Sequence, residues 1–236
     1  MPSAIHPRFA QRALEPRYGF PEAAALVGRP SQTLRRWALG NRRKYRNEPR
    51  VDEALIRIDG VHERGGSPLS FLNLLELRFL ASFRDRMPLP VIRRALDYAG
   101  EQLGVDRPLL DLDFQTSGRE LFVEYEEGGE RVSINASRQG QTAWPRETTA
   151  FLKSLDYDET ERAAYRWWPL GKERPVLLDT SLNAGRPSTA ENGVRTVAIA
   201  SRARHGWSTQ AIADDVAATP AEVEAALELE GKAAAA

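Results

Sequence analysis

The 236-residue chain has no cysteine, two methionines and three histidines. Without cysteine there is no disulfide framework, no zinc finger and no thiol nucleophile. His6, His62 and His205 lie far apart and show no His-Glu-x-x-His spacing. The chain also lacks a phosphate-cradling glycine loop and a Gly-x-Ser-x-Gly nucleophile elbow. Asp111-x-Asp113 and Asp214-Asp215 are the closest approach to metal-binding carboxylates, and both fit a strand edge or a solvated helix surface. No run of 18 apolar residues is present, so no transmembrane helix is expected. The N-terminal stretch MPSAIHPRFAQ lacks the apolar centre of a signal peptide. These absences lead to an expectation of a cytoplasmic protein without catalytic residues, metal or cofactor, and with no membrane partner.

Net charge is missing too, with 33 basic and 33 acidic residues. The balance is uneven along the chain. Residues 1–50 hold eleven basic side chains against Glu15, Glu22 and Glu48, a local net of +8. Residues 101–161 hold fourteen acidic against six basic side chains, a local net of −8. Basic residues clustered at one end suit phosphate neutralisation and counterion release, the source of most non-specific DNA affinity.

The segment Tyr18 to Gly40 organises that basic end. Pro21 suits the first turn of a helix that Glu22 to Val27 continue with good helix formers. Gly28-Arg29-Pro30 breaks it. Ser31 is expected to cap a second helix, Gln32 to Leu39, which Gly40 closes. Two short helices around a tight turn, the second carrying Arg35 and Arg36, have the layout of a helix-turn-helix whose second helix enters the major groove. Asn41-Arg42-Arg43-Lys44-Tyr45-Arg46 follows where a wing or backbone-contacting loop would lie. Trp37 is expected to pack the second helix rather than read a base.

Further along, Glu53 to Ile58 reads as a short strand. Ser70 is expected to cap the most apolar helix, Phe71 to about Arg86, with Leu72, Leu75, Phe79 and Phe83 on one face and Leu74, Leu77 and Leu80 widening it. A helix apolar nearly all round belongs at the centre of the fold or in a dimer interface. Met87-Pro88-Leu89-Pro90 breaks the chain before another helix bearing Ile92, Leu96, Ala99 and Leu103. Leu121 to Asn135 reads as a hairpin turning at Gly128-Gly129. Trp144-Pro145 opens a helix to about Leu155. Ala164 to Leu170 is an aromatic cluster that plugs a seam between modules or, alternatively, forms a ligand cage or a base-stacking platform.

Val176 to Asp179 reads as a strand and Ala184 to Pro187 as a tight turn. Three helices follow: Val194 to His205, ended by Gly206; Thr209 to Ala217, capped by Ser208; and Pro220 to about Leu229, with Thr219 and Glu222 at capping-box spacing. From Gly206 to Lys232 the net charge is −5, which suits a protein-interaction or dimerisation surface better than a phosphate site. Gly231 to Ala236 is expected to fray. Arg195, Arg202 and Arg204 precede this region and could touch DNA or pair with its carboxylates.

YGFPEAAALVGRPSQTLRRW resembles the helix-turn-helix of the MerR type, and the helix pair after it is similar to one found in a bacterial family. The last segment, VLLDTSLNAGRPSTAENGVRTVAIASRARHGWSTQAIADDVAATPAEVEAALELE, resembles a small helical domain frequent in toxin–antitoxin operons. The combination resembles VapB-type antitoxins, the partners of PIN-domain ribonuclease toxins. The resemblance implies an α+β, mostly helical fold with an N-terminal winged helix-turn-helix, a central β-hairpin region and a C-terminal small helical domain. Expected boundaries are 1–108, 109–173 and 174–236. DNA reading is implied for Ser31, Gln32, Thr33, Arg35 and Arg36, and phosphate contact for Arg42, Arg43 and Lys44. The implied partners are operator DNA, a second copy of the chain, and a cognate PIN-domain toxin with an acidic, Mg²⁺-binding site. Arg174 and Arg186 read first as surface arginines that keep the chain soluble, and otherwise as side chains that reach into that site. The long dimerisation helix and cysteine ligands of metal-sensing MerR regulators are missing. The alternative is a ligand-sensing MerR-like regulator whose small molecule sits between the 119–136 hairpin and Trp144, Trp167 and Trp168.

Overall fold

The computed structural model describes residues 7–45, 48–52, 54–60, 68–83, 94, 97–98, 101, 104, 107, 126–127, 130–131, 146–158 and 164–235. The fold is α+β and mostly helical. Helices α1 (Pro7–Leu14), α2 (Phe20–Val27) and α3 (Ser31–Leu39) open it. A hairpin of β1 (Asn41–Tyr45) and β2 (Glu48–Asp52) follows, then α4 (Phe71–Phe83). Among the described residues no helix is long and apolar enough to cross a membrane.

Helix α4 lies in the centre of the larger core. Every residue from Phe71 to Ser82 is buried except half-buried Arg78, whose guanidinium lies 5.7 Å from the Phe151 ring centroid. Ser70 caps α4 as expected, its Oγ accepting from the Asn73 N–H at 3.1 Å. This core gathers Tyr18, Phe20, Leu34 and Trp37 from the N-terminal helices, the leucines of α4, and Phe151, Trp167 and Leu178 from farther along. The expected strand at 53–58 is not formed over 54–60. There the Asn73 side chain accepts from the Asp59 N–H (3.0 Å) and donates to the Arg57 carbonyl (2.7 Å), so this segment's polar groups are met by a side chain instead of a partner strand.

The expected helix after Pro90 is helical at Arg94, Asp97, Tyr98 and Glu101; its remaining residues lie outside the described set. Of the central hairpin, β3 (Glu126–Glu127) pairs with β4 (Glu130–Arg131), Glu127 opposite Glu130; the expected turn residues Gly128 and Gly129 lie outside the described set. The rest of that expected hairpin, 119–125 and 132–136, falls outside the described residues.

Helix α5 (Arg146–Lys153) ends two residues earlier than expected. Ser154 takes the turn, its Oγ donating to the Phe151 carbonyl at 2.6 Å, and Leu155 begins a strand. Strands β5 (Leu155–Tyr157), β6 (Ala164–Trp167), β7 (Val176–Asp179) and β8 (Ser188–Thr189) form an antiparallel sheet in sequence order. Leu155 and Leu178 flank Trp167 on either side. Residues 164–167 of the aromatic segment therefore form a strand.

Helices α6 (Thr196–Arg204), α7 (Thr209–Val216) and α8 (Pro220–Ala235) enclose a second core of Val176, Ile199, Ile212, Val223, Ala226 and Leu229. Gly206 adopts φ 83° after α6; its N–H reaches Ala203 O and that of Trp207 reaches Arg202 O, the two bonds of a Schellman closure. Ser208 accepts from the Ala211 N–H, capping α7. Thr219 and Glu222 form the capping box of α8. Helix α8 continues through the residues expected to fray, and Lys232 pairs with Glu228 one turn back at 2.7 Å.

Candidate nucleic-acid interface

Pro21 lies in the first turn of α2, and Gly28 closes that helix in the left-handed region (φ 72°), its N–H donating to Ala24 O. Arg29, next in the turn, donates to the Ala81 carbonyl of α4 at 3.2 Å and ties the turn to the core. Ser31 does not cap α3. Pro30 occupies the cap, Ser31 is the first helical residue, and its hydroxyl donates to the Phe20 carbonyl at 3.1 Å. Gly40 ends α3 with φ 71° and donates to Arg36 O.

Leu34, Trp37 and Ala38 form the buried face of α3. Gln32, Arg35 and Arg36 are exposed; Ser31 and Thr33 are half-buried. The Arg35 guanidinium lies over the Phe20 ring, 4.7 Å from its centroid. Trp37 packs inward as expected, and its carbonyl accepts from the Leu55 N–H at 2.6 Å, joining the exit of the hairpin to α3. Arg42, Arg43 and Lys44 fall on β1, opposite Val51, Arg50 and Pro49. The basic stretch after α3 is thus one strand of a two-stranded wing.

The helix-turn-helix is locked to the C-terminal half. Tyr18, fully buried, donates its phenol hydroxyl to the Gly185 carbonyl at 2.5 Å. Burial holds that phenol well above the usual tyrosine range, and Glu22 adds to the effect. Arg186 pairs with Glu22 at 3.2 Å and donates to the Arg17 carbonyl. Burial raises the Glu22 carboxyl, while Arg186 and Arg195 pull it down. Arg174 pairs with Glu228 at 2.8 Å. Arg174 and Arg186, considered above for a toxin's acidic site, thus both engage carboxylates of this chain. Arg202, one of the arginines considered for DNA, pairs with Asp215 at 2.6 Å.

Two of the three aromatics considered for a ligand site are engaged elsewhere. Trp167 is buried edge-on against Phe151, centroids 6.1 Å apart, and the Trp168 indole donates to Asp156 at 2.7 Å. Trp144 lies outside the described residues. Reading the sequence missed the parts played by Phe20, Arg29 and Asn73. Arg29 had a signal, standing between the glycine and proline of the turn; Asn73, apolar on both sides, had only its polarity within an apolar helix.

Two packed helices, a tight glycine turn, an exposed basic face on the second helix and a basic hairpin beyond it define a winged helix-turn-helix of the DNA-binding class. Residues 16–96 match the family model described as "Putative DNA-binding HTH domain". Across nearly its whole length the chain is similar to a Mycobacterium tuberculosis protein named "Putative antitoxin VapB45": 28% identical over 227 residues, 90% of this chain and 93% of that one. "Uncharacterized protein Rv2308" of the same organism is 25% identical over 222 residues, 89% of this chain and 88% of the other. The crystal structure of Rv2018 from Mycobacterium tuberculosis superposes with a TM-score of 0.70 at 24% identity, covering 90% of this chain and 98% of that one, a likeness of fold. The matched region and the first relative accord with the resemblance to VapB-type antitoxins.

Proposed function

We propose that this chain is a DNA-binding antitoxin of a type II toxin–antitoxin system. It represses its own operon through the helix-turn-helix and neutralises a PIN-domain ribonuclease by direct binding, as a homodimer in the cytoplasm. The observation that carries the DNA half is α3: its apolar face is seated in the core while Gln32, Arg35 and Arg36 stand exposed beside a basic hairpin. Arginine and glutamine are the side chains best suited to guanine and adenine edges in the major groove, and a wing of Arg42, Arg43 and Lys44 suits phosphates. The relative named as an antitoxin, similar over nearly the full length, supports the toxin half.

The test is in two parts. Binding of the purified protein to the DNA upstream of its own gene is measured, and the double variant Arg35→Ala/Arg36→Ala is expected to lose specific binding; unaltered affinity overturns the assignment of α3. The protein is then co-purified with the product of the adjacent gene. A stable complex with a nuclease that becomes active on release supports the antitoxin reading, and a protein that purifies alone while binding DNA leaves a transcription regulator.

A further inference from the structure

Four polar side chains of α3 divide into two sets. Ser31 and Arg35, one turn apart, both engage Phe20, the first residue of α2. The Ser31 hydroxyl takes the Phe20 carbonyl at 3.1 Å, and the Arg35 guanidinium takes the ring face at 4.7 Å. Phe20 is itself only 2% exposed, so it is a fixed anchor. At about 100° per residue, Leu34, Trp37 and Ala38 mark the core side of α3, and Ser31 and Arg35 lie on its flank toward α2. Gln32 and Arg36 lie diametrically opposite the core, and both are exposed.

We infer that Gln32 and Arg36 determine which bases are read, and that Arg35 is a positioning residue held by Phe20. This rests on the DNA-binding reading above. Chemically, a guanidinium stacked on a ring face is held in one orientation by that contact. A residue clamped in this way loses little rotamer freedom on binding but is poorly placed to reach a base edge deeper in the groove. Gln32 and Arg36 are free of that clamp. Glutamine pairs bidentately with adenine N6 and N7, and arginine with guanine O6 and N7. Residues four apart on a helix rise by about 6 Å, and stacked bases by about 3.4 Å per step, so the two bases would be neighbours or one step removed. The target is thus duplex DNA whose half-site contains an adenine and a guanine within two base steps.

The experiment selects bound sequences from a random duplex library with the full-length protein and with Gln32→Ala, Arg36→Ala and Arg35→Ala. All three positions are exposed on a helix, so alanine leaves the fold intact. The wild-type protein is expected to enrich a site with that adenine and guanine. Gln32→Ala and Arg36→Ala are each expected to relax preference at one of those bases, by roughly 5- to 150-fold. Arg35→Ala is expected to weaken binding to every sequence alike and leave the preference unchanged. Phe20→Leu supplies the readout that a merely structural role would not move: in a double-mutant cycle its effect on affinity is expected to shrink in the Arg35→Ala background. Loss of preference in Arg35→Ala with none in Gln32→Ala and Arg36→Ala overturns the inference, as does a Phe20→Leu effect independent of Arg35. A wild-type protein that enriches no sequence overturns the DNA-binding reading itself, a distinguishable result.

Discussion

Tyr18 and Gly185 are 167 positions apart, and the phenol of the first donates to the carbonyl of the second at 2.5 Å inside the protein. The bond joins the residue that leads into the helix-turn-helix to the loop after β7. Gly185 has φ 77°, and a Cβ built on it would overlap the Tyr18 hydroxyl. Tyr18→Phe leaves a buried carbonyl without its donor and is expected to cost about 1–3 kcal/mol. Gly185→Ala adds backbone strain to a steric overlap and is expected to cost more. Urea unfolding followed by tryptophan fluorescence ranks the two; equal stability of Gly185→Ala and the natural protein would refute the close approach of these two residues.

Glu76 should make stability depend on pH. It is buried in α4, accepts from the Asn73 amide at 3.0 Å, and faces Arg107 at 3.9 Å, with Asp59 and the Arg57 carbonyl on the same guanidinium. Burial pushes its pKa up to about 7, against the pull of Arg107 and Asn73, and the Asp59 charge adds to the rise. A carboxyl whose pKa is higher folded than unfolded stabilises the fold below its unfolded value, near 4.5, and that contribution is lost as pH climbs through about 7. The loss is on the order of 3 kcal/mol. Glu76→Gln is expected to match the natural protein near pH 4.5 and to exceed it above pH 7. A natural protein that instead gains on the variant as pH rises would mean that Arg107 outweighs the burial.

The start of α8 rests on an acidic residue with no exposure. Glu222 accepts from the Glu191 N–H at 3.0 Å and from both the N–H and hydroxyl of Thr219. Thr219→Ala removes one cap and is expected to cost about 1 kcal/mol. Glu222→Gln turns an amide N–H₂ toward donors and is expected to cost more, since buried charge-assisted bonds are worth about 1.5–3 kcal/mol each. Thermal unfolding compares them, and the reverse order would show that the box is not what holds the loop at 191 to α8.

The wing should act through charge alone. Replacing Arg42, Arg43 and Lys44 together by alanine is expected to reduce the slope of log affinity against log salt by roughly 0.9 for each phosphate that is no longer neutralised. Sequence preference is expected to stay the same. DNA titrations at several salt concentrations give the slope; an unchanged value would place the hairpin away from the backbone.

The parts of the fold carried by local chemistry were legible in advance. Gly28, Gly40, Ser70, Gly206, Ser208 and the Thr219–Glu222 pair each act at the terminus they mark, because caps and left-handed closures depend on a few adjacent residues. The sheet was only partly legible. Strand β7 was readable as the short apolar run Val176 to Asp179, but β6 buries its two end residues and half-buries the two between, so it does not alternate. The opposite error at 53–58 arose because a short apolar run, Ala54-Leu55-Ile56, was present without a partner strand. In the candidate interface, residue type pointed to α3, yet could not separate Arg35 from Arg36: the difference lies in the Phe20 ring, a contact between helices. Ser31 was misjudged by one position because Pro30, with its fixed φ, already supplies the helix entry.

The core that seats α3 also contains Trp167 and Leu178. During synthesis those side chains emerge long after the helix-turn-helix has left the ribosome, at about 5–20 residues per second. A nascent chain halted before β6 therefore carries the whole basic surface without the packing that aligns it. The packing that seats α3 is complete only when most of the polypeptide has been made, so prematurely terminated products would present α3 without its full support.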